Sequence, residues 1–529
     1  MTSNIDLFER GSDAARLTAA AAHGGPSVGR MFDNVARLHP ARLALADGQR
    51  SLSYGELLAR VEQVAAAMAA DGAGLGDVVA ILSENRIEYL EIELACARLG
   101  AVAACQNWRQ SPAELAHCLS LVEPKLLFVS PRYADVAAAL GYAAPTLIRF
   151  GDAYEAWIAR ELAPAAADDI DPERGLLVLY TSGTTGFPKG AVISHRAIIA
   201  RSLIMMAEWS LHSDDGAIAW SPLFHMAASD PVFCALIQGA PVRIVDGFDP
   251  IAICQALEQT PVGWFVLLPG MIERMIAALK QTGARVKRVA VAGCMANLVP
   301  PLEIAAISAL LQAPFLNSFG STETGILPAS GAKIPSGVAP ASFRKLPNGF
   351  CDMRVVDDDD RPVPPGGVGE ICIRSPALFS GYWKAPEATA RDFRNGWFHM
   401  GDDFVTYADG SLDFVDRKKY LIKSGGENIY PAEIERLVTD SERVSQAVVV
   451  RQADPKWGEI PVLLVVRRDP TLEEADVLAM IEGRIANYKR PKRVVFVPES
   501  WIERNVTGKI RRDLLESRIA DGAAAGEGT

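Results

Sequence analysis

Capped helical segments and short apolar runs alternate along the first 180 residues, and this alternation constrains the fold more than any other feature of the chain. Ser53-Tyr54-Gly55-Glu56 has capping-box spacing, with Leu57, Leu58, Val61, Val64, Ala65 and Met68 following at helical period. After Asp77, the run Val78-Val79-Ala80-Ile81-Leu82 is apolar at every position, as suits a buried strand. Asn85 to Leu99 returns to helical spacing. Ser111-Pro112-Ala113-Glu114 is a second capping box with proline in the first turn, and Leu126-Leu127-Phe128-Val129 is the next strand. Strand, helix and strand at this rhythm predict βαβ units, largely parallel sheets and an α/β fold. The pattern continues with strands at Trp264–Leu268 and Val286–Val291 and a helix around Met271–Leu279.

At 529 residues the chain exceeds one ordinary core. After about residue 345 the strands shorten, with GGVGEICIRS and a turn at Ala408-Asp409-Gly410, and the charged cluster Asp416-Arg417-Lys418-Lys419 breaks the apolar pattern. The expected division is a large multi-sheet α/β domain over 1–416 and a small mobile α+β domain over 417–520, hinged near Lys419. A polar tail, 521–529, is expected to be disordered. The formal charge of -11 argues against a nucleic-acid partner, which needs a basic stripe. Eight scattered cysteines without a C-x-x-C pair read as reduced thiols of a cytoplasmic protein. Neither an apolar leader nor an integral membrane segment is visible, and a homodimer is compatible with the chain.

The stretch YTSGTTGFPKGA, Tyr180 to Ala191, follows the apolar run Leu176-Leu177-Val178-Leu179. Its glycines let backbone N–H groups converge on an anion, its hydroxyls add donors and Lys189 adds charge. A loop leaving a strand end sits where open α/β sheets bind ligands. The Walker A pattern fails because Pro188 and Gly190 stand where glycine and a hydroxyl residue are required. The reading is a phosphate-binding loop of another kind, with a plain surface turn as the alternative.

That stretch resembles the signature loop of the adenylate-forming acyl-CoA synthetases, a family that includes luciferases and peptide-synthetase adenylation domains. NSFGSTETG (Asn317–Gly325), MGDDF (Met400–Phe404), DRKKYLIKSGGENIYPAEIE (Asp416–Glu435) and ERNVTGKIRR (Glu503–Arg512) match further motifs in the family's order. The resemblance implies two steps: a carboxylate attacks the α-phosphate of ATP to give acyl-AMP and pyrophosphate, then a thiol, usually that of coenzyme A, displaces AMP. It implies that Thr181, Ser182, Gly183, Thr184, Thr185, Gly186 and Lys189 hold the terminal phosphates. Asn317, Ser318, Phe319, Gly320 and Ser321 would frame the adenine, with Phe319 stacking where the family usually has tyrosine. Thr322 would bind the α-phosphate, and Glu323 would hold Mg²⁺, a hard ion suited to oxygen ligands. Asp402 would accept the ribose hydroxyls and Arg417 would reach ribose or phosphate. Lys509 would bridge the substrate carboxylate and the α-phosphate; one charge pair at about 4 Å and an effective dielectric near 20 is worth about 4 kcal/mol. Lys419 matches the hinge, and Ser424, Gly425 and Gly426 would line the pantetheine tunnel after domain rotation.

Trp220-Ser221-Pro222-Leu223-Phe224-His225-Met226 resembles the segment bordering the carboxylate pocket. His225 would orient the carboxylate or close the adenylate site, unless it is a packed core histidine. Met226, Ala227 and Ala228, with Gly293 and Cys294 opposite, suggest a pocket for an apolar aryl, alicyclic or medium-chain acid. Asp230 keeps an amino-acid-activating enzyme in view, because such relatives hold the ammonium with an aspartate nearby. The stretch from Glu323 to Gly369 is too short for the insertion of the fatty-acyl-AMP ligases that load carrier proteins, which favours CoA. A non-catalytic nucleotide or acyl sensor is the remaining alternative, and intact Glu323, Asp402, Arg417 and Lys509 argue against it.

Overall fold

The computed structural model describes residues 26–141, 146–167, 170–181, 188–268, 270–326, 328–424, 427–485, 487–504 and 510–520. The tail 521–529 lies outside them. Both expected capping boxes form: the Glu56 carboxylate accepts from Ser53 N–H at 2.7 Å and the Glu114 carboxylate from Ser111 N–H at 2.8 Å. They start helices Tyr54–Ala70 and Pro112–Val122. The second helix packs Leu115, Leu119 and Val122 against Val78, Ala80, Leu82 and Leu127, and strands Val78–Leu82, Val102–Cys105 and Leu126–Val129 pair in parallel (Val79 with Ala103 and with Leu126).

A seven-stranded sheet runs in the order Gly381–Tyr382, Lys189–Ser194, Gly175–Thr181, Val102–Cys105, Val78–Leu82, Leu126–Val129 and Thr146–Arg149. Its strands β1 (Gly175–Thr181) and β2 (Lys189–Ser194) are antiparallel, with Thr181 opposite Lys189. Helix α1 (His195–Trp209) follows at once, and α2 (Met226–Gln238) packs beside it. A parallel three-stranded sheet holds Val262–Val266, β3 (Val289–Cys294) and β4 (Phe315–Asn317). Its strands begin two residues earlier and three later than the apolar runs suggest. Trp264 pairs with Val291, and the polar Arg285–Arg288 segment instead supplies backbone bonds to Val262 and Leu257 as a connection.

Beyond residue 350 an antiparallel sheet contains β5 (Trp397–Thr406), paired with Val368–Arg374 on one side and with β6 (Leu412–Arg417) on the other. The next sheet builds its own core. Adjacent residues of Val444–Asp454 point to opposite faces. Val449 joins Ile422, Ile434 and Leu463 on one face, while Val448 and Val450 join Leu464 and Leu515 on the other. Asp416, at the end of β6, links the two units: Oδ1 accepts from Arg417 N–H at 2.7 Å and Oδ2 from Ala432 N–H at 2.9 Å. Among the described residues, no helix is long and apolar enough to cross a membrane.

Candidate active site at the strand ends

Register places Thr181 and Lys189 together, so the intervening chain leaves and re-enters the sheet at one point. Ser182, Gly183, Thr184, Thr185 and Gly186 themselves lie outside the described residues. Lys189 Nζ stands 4.6 Å from the centre of the Tyr382 ring, whose negative face attracts the cation. Tyr382 pairs with Ala191 of β2, and its hydroxyl donates to Glu323 Oε1 at 3.0 Å. Burial, reinforced by the negative charges of Glu323 and Asp392, raises the Tyr382 phenol's pKa, so it remains a donor at neutral pH. Sequence reasoning missed Tyr382. Its only signal is the Gly-Tyr pair closing an apolar run.

The loop after β4 is a compact turn. Gly320 must be glycine because a Cβ there would lie 2.0 Å from Gly325 O. Ser321 N–H donates to Thr324 Oγ1 at 2.8 Å, and Gly325 N–H to Ser321 O at 2.9 Å. Asn317 spends its side chain on the scaffold, accepting from Ala296 N–H at 2.9 Å and donating to Phe343 O at 2.7 Å. Ser318 N–H donates to Cys294 O at 2.8 Å, so the turn is anchored to β3. Thr322 is half-buried and Glu323 buried. Arg201 of α1 threads beneath them and donates to Thr322 O at 3.1 Å. It was also missed, although a charge on the buried stripe of an amphipathic helix is a readable signal.

Phe319 is buried and meets Phe404 of β5 edge to face, with ring centres 4.7 Å apart. Asp402, two residues earlier on β5, pairs across strands with Arg417, and Arg417 Nε lies 3.4 Å from its Oδ1. Glu370 supports this corner by accepting from Gly401 N–H at 3.0 Å. Burial pushes neighbouring Asp403 up to about 6; Glu370 and Asp402 add to this and Lys418 opposes it.

His225 caps α2: its Nδ1 accepts from Ala227 N–H at 3.1 Å, which leaves the proton of the neutral ring on Nε2. Met226, Ala227 and Ala228 are buried in the first turn of that helix. A Cβ at Gly293 would meet Leu316 O at 2.3 Å and the Trp264 ring at 2.7 Å, so strand packing already demands this glycine. Cys294 is buried, and desolvation pushes its thiol up to about 12. Asp230 is committed to Arg201, whose Nη1 donates to its Oδ1 at 3.0 Å. Ser424 is buried and opposes Gly458. Gly425, Gly426, Lys509 and the Lys419 side chain lie outside what is described.

The Lys189–Tyr382–Glu323 chain lies at strand ends of an α/β fold, and the Asp402–Arg417 pair lies between two neighbouring antiparallel strands. Residues 32–383 match the AMP-binding enzyme family, and residues 433–509 match the AMP-binding enzyme C-terminal domain; the chain belongs to this adenylate-forming acyl-CoA synthetase family. The indoleacetate–CoA ligase of Aromatoleum aromaticum is 36% identical over 92% of this chain and 97% of its own length. The feruloyl-CoA synthase of an Amycolatopsis species is also 36% identical, over 90% and 97%. Among solved structures, ATP-bound MatB from Rhodopseudomonas palustris superimposes with a TM-score of 0.80 at 27% identity, covering 94% of this chain and 99% of that one.

Proposed function

We propose that this protein is an ATP-dependent acid–CoA ligase acting on an aryl-substituted carboxylic acid. The observation that carries the reading is the chain from Lys189 through the Tyr382 ring and hydroxyl to Glu323, which joins the phosphate loop to the acidic turn. In the first step a substrate carboxylate oxygen attacks the α-phosphorus, the bond to the β-phosphate breaks, and pyrophosphate leaves with that electron pair. Lys189 and the residues before it offset the charge growing on the leaving group, and Thr322 donates to the α-phosphate. Lys509 holds the two reacting anions together. In the second step the CoA sulfur attacks the acyl carbonyl carbon, the thiol proton is lost, and the bond to AMP breaks.

Glu323 suits a hard cation. Tyr382 occupies Oε1, while Oε2 has no hydrogen-bond partner among the described residues, so one carboxylate oxygen is available for Mg²⁺. When bound, Mg²⁺ would neutralise phosphate charge. Asp402, paired with Arg417, accepts the ribose hydroxyls. Asn317 acts through the loop backbone it shapes rather than through its own amide. Phe319, wedged by Phe404, presents one apolar face to adenine. His225, at the start of α2, orients the substrate carboxylate. We keep the domain boundary at 416/417, beside Asp416, whose Oδ2 accepts from Ala432 N–H. A cytoplasmic site, where ATP and CoA are supplied, agrees with eight free, buried cysteines.

The amino-acid reading loses its support, because Asp230 already compensates a buried guanidinium. Names of relatives that act on indoleacetate, ferulate and 2-succinylbenzoate support an aryl acid. The test is acid-dependent pyrophosphate release and CoA consumption over ferulate, indole-3-acetate, 2-succinylbenzoate, octanoate and acetate. An aryl acid should give the highest kcat/KM. Acetate as the best substrate contradicts the pocket assignment, and no release with any acid favours a sensor.

A further inference from the structure

Arg201 is a large, fully buried side chain, and its guanidinium touches three separate pieces of the candidate site. Nη1 donates to Asp230 Oδ1 at 3.0 Å, Nη2 to Thr322 O at 3.1 Å and to Glu323 O at 3.4 Å, and Nε to Ala377 O at 3.0 Å. Asp230 belongs to α2, the helix that begins with His225 and carries Met226, Ala227 and Ala228. Ala377 lies four residues before the Gly381–Tyr382 strand, and Phe379 N–H in turn donates to Glu323 O at 2.8 Å. Gly325 completes the packing: at φ +73° it has no Cβ, and one built there would meet Arg201 Nε at 2.8 Å and Asp230 Oδ2 at 3.1 Å. The Arg201 and Asp230 side chains are 1% and 0% exposed, so the charge pair is shielded from solvent.

We infer that Arg201, held by Asp230, is a positioning residue that sets the acyl-pocket helix in register with the Thr322–Glu323 turn, so that acid and nucleotide meet at bonding distance. The inference rests on the proposed function. A planar fork with five donors can hold a carboxylate and several carbonyls in one geometry, which a lysine ammonium cannot reproduce. Stability alone is a poor reason to keep such a pair, since buried ion pairs are often replaced by apolar residues without loss. Alignment is a better one, because an in-line attack tolerates little error and a 1 Å misplacement can cost about a hundredfold in rate.

The test uses ligands that cannot react. Isothermal titration calorimetry on the full chain would measure 5′-O-(N-feruloylsulfamoyl)adenosine and its indole-3-acetyl counterpart, which span both subsites. AMP, ferulate and indole-3-acetate would be measured separately. Variants are Arg201→Lys, which keeps the charge and loses the fork, and Arg201→Met/Asp230→Leu, which removes both charges; their thermal midpoints give foldedness. The double variant guards against a single variant that leaves one buried charge unpaired and fails to fold. Expected in the folded variants is a loss of about tenfold or more for the spanning ligand, with AMP and free acid each changed by about twofold or less. Unchanged affinity for the spanning ligand, or a parallel fall in all ligands, overturns the inference while leaving the proposed function standing. Wild type that binds neither spanning ligand contradicts the proposed function and removes the inference with it.

Discussion

At the scale of single residues, Tyr382 and Lys345 make the sharpest predictions. Tyr382→Phe keeps the ring beneath Lys189 and deletes the donor to Glu323. A hydrogen bond to a charged group is worth about 1.5–3 kcal/mol, so adenylate formation should slow about ten- to a hundredfold while the thermal midpoint moves little. Stopped-flow pyrophosphate release would show this, and an unchanged rate would remove Tyr382 from the site. Lys345 is buried, donates to Asn297 Oδ1 at 2.9 Å, and has its pKa lowered to about 7 by desolvation; Asp413 and Cys294 oppose the shift and Arg436 adds to it. Between about pH 7 and its unfolded value of 10.5, the unfolded chain binds the proton that the native state has lost. Stability from this group therefore rises with pH across that window and is flat below it. Lys345→Met should flatten the rise in thermal midpoint between pH 7 and 10; an unchanged slope contradicts the assignment. The phosphate loop, the acidic turn and Asp402 are legible as candidates because their chemistry is concentrated in short runs. Tyr382 and Arg201 are not legible as site residues, because their partners lie apart in sequence, 59 positions from Tyr382 to Glu323, 29 from Arg201 to Asp230 and 121 from Arg201 to Thr322, separations that only the fold closes. Asp230 shows the opposite failure: a conspicuous acid near the acyl segment that the fold pairs with Arg201.

At the scale of elements, the two helix starts that carry a capping box, Tyr54 and Pro112, are readable to the residue because a capping box is local chemistry, whereas the helix expected from Asn85 starts at Ile87. Strand limits are not, because the register among Val262–Val266, β3 and β4 fixes them, and one sequence does not display register. The turn between Asn317 and Gly325 is an intermediate case. Its glycines announce a tight turn, yet only the structure shows that Gly320 abuts Gly325 O and that Gly325 abuts the Arg201 guanidinium. Gly325→Ala combines a positive φ, costing about 1–2 kcal/mol for a residue with a Cβ, with a contact below van der Waals distance. The variant should melt lower and lose adenylate formation beyond the loss of folded protein. Differential scanning fluorimetry beside an active-fraction titration separates the two effects, and a normal rate per folded molecule would show that the turn does not position Thr322 and Glu323.

At the scale of the whole molecule, the α/β class follows from the alternation of capped helices and buried runs, and a separate core gathers around Ile422, Val449 and Leu463. The two units meet where Asp402 pairs with Arg417 and Asp416 caps the helix that starts at Pro431. Under the proposed function, Lys509 serves adenylate formation alone. The most direct measurement follows two half-reactions in wild type and Lys509→Ala: ATP-dependent adenylate formation from the best aryl acid, and thioester formation from the matching synthetic acyl-adenylate and CoA. The account predicts that the variant loses adenylate formation by orders of magnitude and keeps thioester formation near the wild-type rate. Equal activity in both half-reactions would contradict it.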